Sequence, residues 1–194
     1  MEDSNYSLPV ALKEWAVAVK ALSEGKQIMV LRKGGIAEET RDFQLLSPSF
    51  YLLPAFEHQK PELLKEAYRS GVEETIAQWR QHSDTVRISA YAEVAEDIEI
   101  RDQETLDSLR DYHIWTDSFA EERLKWKRTK PLHLLLLRVF LLDEPVNIPM
   151  RDAYMGCKSW VTLEGVPQEA PSKPVLEDMA FNEQILLIKE KIGL

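Results

Sequence analysis

Arg32-Lys33-Gly34-Gly35-Ile36-Ala37-Glu38-Glu39 sets two cations directly before two glycines. Glycine lets a backbone come close to a ligand or take positive φ, and exposed amides beside cations form an anion site. The chemistry expected here is the holding of negative charge by Arg32, Lys33 and the amides of Gly34 and Gly35. The spacing is neither that of a phosphate-binding Walker loop nor that of a dinucleotide loop. The plainer reading is a strand-end turn whose cations are solvated or paired with Glu38 and Glu39.

A second candidate runs from Arg123 to Arg138. Six basic residues, Arg123, Lys125, Lys127, Arg128, Lys130 and Arg138, occur there without an acid. Trp126 lies among them and Trp115 just upstream, and cations interleaved with aromatics suit a phosphate-bearing, stackable ligand. Cations gathered at a helix C-terminus are the plainer alternative. Arg138 differs from the rest, because it sits inside an apolar run where an unpaired charge is expensive.

Tyr154-Met155-Gly156-Cys157-Lys158-Ser159-Trp160 brings a thiol, a lysine, a hydroxyl and an indole into one loop. Cys157 could act as a nucleophile if Lys158 lowered its pKa. No positioned base is visible, however, and a lone cysteine is more often a small buried hydrophobe. The four histidines, His58, His82, His113 and His133, show no metalloprotease spacing. His58 follows Glu57 in a loop bounded by prolines and is a candidate pocket residue.

The chain that must position these groups has 194 residues, with 24 Lys+Arg against 33 Asp+Glu and a formal charge of -9. The acidic balance disfavours wholesale wrapping of nucleic acid while leaving room for a local basic groove. A single cysteine excludes an intramolecular disulfide and a cysteine-built zinc site. No apolar stretch reaches the ~18 residues of a membrane span. Residues 1–7 read as a disordered tail rather than a signal peptide. The expectation is a cytoplasmic protein.

Leu12, Trp15, Ala16, Val19 and Leu22 recur at helical spacing and predict a first helix over 9–24, stopped by Gly25. Strands are predicted over 27–31, 43–46, 49–53, 86–94, 132–142 and 159–163. Helices are predicted over 61–81, with a break at Ser70-Gly71, then after Asp102 as its cap, from Ser118 to 127 with Ser118 and Glu121 as a capping box, and over 175–192. Residues 165–174 carry three prolines and read as a loop. Helices and strands mix without regular alternation. The predicted class is therefore α+β, one domain over 1–194, with a mixed sheet flanked by helices and the C-terminal helix packing back on the core.

Several blocks, in order, resemble a bacterial, largely cyanobacterial family of domains of unknown function, numbered 1802. They are Ala11 to Trp15, Leu31 to Ile36 with Glu38, Phe50 to Pro54 with His58-Gln59, His113 to Thr116, Arg123-Leu124, Pro131-Leu132, Leu137 to Val139, and Tyr154 with Gly156 to Trp160. Ala55 departs from the small polar residue expected after the proline. The resemblance carries no activity with it.

Two broader likenesses concern smaller parts of the chain. Gly25-Lys26 leading to Arg32 is similar to small barrel domains related to the pseudouridine-synthase RNA-binding fold. Here Lys26 stands one place early and Val30 replaces the usual glutamate. The predicted order of elements also resembles PD-(D/E)xK nucleases, in which Glu38 and Asp42 would hold magnesium or manganese. Gln44 stands where that chemistry wants a lysine.

The residues thus favour a non-catalytic module for an anionic small molecule or nucleic acid, with no membrane contact. Arg32, Lys33, Gly34 and Gly35 would hold charge, Trp115 or Trp126 would stack, and His58, Arg138 and Lys158 would line the rim. A divalent-metal phosphodiesterase using Glu38 and Asp42 is one alternative, and an adaptor for a protein partner is another.

Overall fold

The computed structural model describes residues 8–33, 43–126 and 128–194. The chain opens with strand β1 (Val10–Trp15), helix α1 (Ala16–Ser23), β2 (Met29–Arg32) and β3 (Ser49–Ala55). There follow α2 (Glu66–Arg80), β4 (Thr85–Ile100), α3 (Gln103–Ser108), α4 (Asp117–Lys125) and β5 (Leu132–Pro149). Short strands β6 (Trp160–Thr162) and β7 (Ser172–Pro174) precede the closing helix α5 (Asp178–Lys191). The seven strands form one mixed sheet in the order β2-β5-β4-β3-β1-β6, with β7 paired to β5. This is the expected α+β domain, with β1 and β3 parallel and the other pairs antiparallel.

The predicted first helix is half wrong. Residues 10–15 are a strand, and the helix begins only at Ala16, after Trp15 turns the chain at φ -49 and ψ 135. Ala11 and Leu12 are both fully buried, on opposite faces of the sheet. A strand covered on both sides loses its alternation, so its apolar positions blended with those of the helix that follows. Residues 43–46 form no strand, although Phe43 is buried. Within the predicted proline-rich loop, 172–174 pair with β5. Thr116, not Ser118, caps α4, accepting from the Phe119 amide.

Gly71 does not break α2. A Cβ there would stand 2.9 Å from Val17 Cγ2, so the glycine allows α1 and α2 to approach. Gly25 ends α1 at φ +70, as the sequence suggests, and packs beneath Leu176 and Val175.

The core lies on both faces of the sheet. One cluster joins α1 and α4 to the strands through Leu12, Val19, Val30, Leu52, Leu135 and Trp115. A second holds α5 by Phe181 and Ile188 against Met29, Leu31 and Leu136. A third gathers Ala11, Tyr51, Leu53, Ile88 and Tyr154 on the opposite face of β1 and β3.

Candidate cationic seam

β2 and β6 are the two ends of the strand order, yet polar side chains join them. Arg32, the last residue of β2, donates from Nη2 to Ser159 Oγ at 2.5 Å, next to β6. Its Nη1 lies 3.1 Å from Glu14 Oε2, on β1. Glu14 uses its other oxygen to accept from the Trp15 amide at 2.8 Å. Arg32, Glu14 and Ser159 are all buried. The sheet therefore curls until its edges meet, and this network closes the seam.

More positive charge converges on the same place. Arg123, in the last turn of α4, lays its guanidinium over the Phe119 ring at 4.9 Å. Burial lowers its pKa, the nearby charge of Arg32 lowers it further, and Glu14 acts in the opposite sense. Lys33 donates from Nζ to the carbonyl of Leu124 at 2.6 Å, and burial also depresses its pKa. Among the described residues Arg32 and Arg123 thus share the carboxylate of Glu14, while Lys33 is held alongside at the carbonyl of Leu124. Arg32 Nε is buried without a hydrogen-bond partner.

Aromatic rings wall one side. Phe43 lies 5.9 Å from the Arg32 guanidinium and stacks near Trp160 at 6.0 Å and 23°. His133, which faces Arg32 across the β2–β5 ladder, is 5.3 Å from Phe43 and pairs with Asp97 at 2.8 Å.

Of the expected site residues, Arg32 and Lys33 come together here, against Arg123 and Leu124 of the basic stretch. Gly34, Gly35, Glu38 and Asp42 lie outside the described residues. Trp115 is only 1% exposed and stacks on Phe119 at 5.4 Å, so it backs the ring under Arg123 and offers no face for stacking a ligand. Trp126 follows α4 and is partly exposed. Arg138 is elsewhere: it pairs with Asp178 at 2.7 Å and lies over Phe181 at 4.7 Å, fastening α5 to β5. The apolar run tolerates it because the charge has a carboxylate and a ring to meet.

Lys158 donates to the carbonyl of Ala153 at 3.1 Å. Burial chiefly lowers the pKa of Lys13, Glu57 and Cys157 oppose that shift, and Lys158 adds to it. Cys157 is exposed. His58 is an exposed loop residue at φ 63, and its neighbour Gln59 accepts from the Val17 amide at the start of α1. Among the described residues no three His, Cys, Asp or Glu side chains come together as a metal site. No helix among them is long and apolar enough to cross a membrane.

Glu14 and Phe43 escaped the sequence reading. Glu14 stands two residues after Leu12, and a strand over 10–15 would have placed both on one face.

The blocks around this seam, from β1 through the loop before β6, fall inside residues 11–185, which match the sequence model of a domain of unknown function, DUF1802. The chain belongs to the DUF1802 family. No curated protein matches this DUF1802 chain. Two crystal structures of ZmASCH mutant proteins from Zymomonas mobilis resemble it. One has 11% identity and a TM-score of 0.44, with 80% of this chain and 90% of that one covered. The other has 10% identity and a TM-score of 0.45, with coverage of 82% and 90%.

Proposed function

We propose that this chain is a binding module for an anionic, phosphate-bearing ligand seated at the cationic seam. The observation that carries the reading is the charge imbalance. Among the described residues Arg32 and Arg123 face the one carboxylate of Glu14, with Lys33 alongside on the Leu124 carbonyl, and enclosure makes each unneutralised charge costly. An anion between the two guanidiniums would neutralise the surplus, and the unpartnered Nε of Arg32 would gain an acceptor. Guanidinium forks suit phosphate oxygens, and the nearby Phe43 and Trp160 rings supply an apolar wall for a base.

Calorimetric titration with inorganic pyrophosphate tests the reading. Fluorescence anisotropy with a labelled single-stranded oligonucleotide runs beside it, to tell a free phosphate ligand from nucleic acid. Saturable binding of either probe, weakened about tenfold by Arg123→Gln and by Lys33→Ala, is expected. With the oligonucleotide each substitution lowers the salt slope by about one. Failure of both probes to bind, or binding indifferent to both substitutions, overturns it.

A further inference from the structure

A groove of about 650 Å³ opens between α1, the C-terminal end of α2 and β4. It exists because the sheet splits there. β3 and β4 pair only from Ser49 to Tyr51, and beyond Tyr91 the two strands diverge. Pro54 on β3 and Ser89 on β4 then face each other across the gap, with α1 and α2 as its walls. The volume lies within the ~300–1,000 Å³ usual for small-molecule sites.

The walls combine an apolar bed with an excess of donors. Ala16, Val19, Pro54 and Phe56 supply the bed. Phe56 stacks on Trp79 at 5.1 Å and 7°, which fixes both rings. Trp79 Nε1 and Ser23 Oγ are buried polar atoms with no hydrogen-bond partner. Both side chains line the groove. Burying a donor unpaired is costly, so two in the lining of one groove mark a place that gains from an incoming acceptor.

The charges narrow the ligand further. Lys20 is held by Glu74 at 2.7 Å, and Glu24 by Lys26 at 2.5 Å. Arg87, exposed on β4, forms no salt bridge among the described residues and lines the same groove. One cation is left over, in a groove that a serine and an indole also line. We infer that this groove binds a small organic monoanion, its apolar or aromatic body on Val19 and Phe56 and its carboxylate toward Arg87 and Ser23. The inference is independent of the cationic seam.

The test uses 2-naphthoate as the probe and 2-naphthalenemethanol as its neutral analogue, followed by tryptophan fluorescence and by amide shifts of the labelled protein. Saturable binding of the acid, at least about tenfold tighter than the alcohol, is expected. Arg87→Gln should weaken the acid about tenfold and leave the alcohol unchanged, because Arg87 is exposed and its loss does not disturb the core. Ser89→Phe, which fills the groove, should abolish both, with circular dichroism confirming that the variant is folded. Trp79→Phe should remove most of the fluorescence response. Absence of saturable binding, or an Arg87→Gln protein that binds the acid as tightly as the parent, overturns the inference.

Discussion

Arg32 Nη2 and Ser159 Oγ stand 2.5 Å apart although they come from the two ends of the strand order. Edge strands normally present unpaired backbone groups and need covering. In this fold a guanidinium, a carboxylate and a hydroxyl do part of that work. The same closure sets Arg123 beside Arg32 and Glu14, with Lys33 on the carbonyl of Leu124, so a structural device and a surplus of positive charge share one place.

Removing the carboxylate should therefore have two effects of opposite sign. Glu14→Gln leaves Arg32 buried without its counter-charge and is expected to destabilise the fold by about 3 kcal/mol. The same change makes the seam more positive and should tighten pyrophosphate binding about fivefold. Urea unfolding and calorimetry on one preparation check both. Weaker binding in a folded Glu14→Gln protein would place the anion elsewhere.

Arg138 is expected to matter for stability alone. Arg138→Ala removes the contact with Asp178 and the packing on Phe181, loosening α5 by about 1–2 kcal/mol. Pyrophosphate affinity should be unchanged in the same variant. A tenfold loss of affinity with intact stability would restore Arg138 to the binding surface.

His113 should make the protein acid-sensitive. Burial, helped by the charge of Lys65, lowers its pKa from 6.5 to about 4. The folded state thus holds the imidazole neutral, while the unfolded chain takes up a proton below about pH 6.5. The stability contribution is full above that pH and is lost as the pH falls toward 4, by about 2–3 kcal/mol. Urea unfolding at pH 7.5 and 4.5 should show a smaller loss over this window in His113→Leu than in the parent. Equal losses would contradict the assignment.

The arrangement was legible where local chemistry decides it. Asp102 capping α3, Gly25 ending α1 and the apolar run of β5 were all read correctly, because each signal lies within a few residues. The chain also showed that Arg32 and Lys33 precede a glycine pair and that Arg123 opens a basic stretch. That these meet is a property of the closed sheet, since Lys33 reaches Leu124 across 91 positions of sequence. β1 was hidden because burial on both faces erased its alternation, and Glu14 was hidden with it. Trp115 and Arg138 had the right chemistry for a ligand, but tertiary contacts with Phe119 and with α5 absorb them.

The most direct measurement of the central claim is the side-chain Nε–H spectrum of the ¹⁵N-arginine-labelled protein during titration with pyrophosphate. The resonances of Arg32 and Arg123, assigned through Arg32→Lys and Arg123→Gln, should move saturably with one common Kd while that of Arg138 stays still. An Arg32 resonance that does not move, or one that drifts without saturation together with the exposed Arg101 and Arg151, would contradict an anion site in the seam.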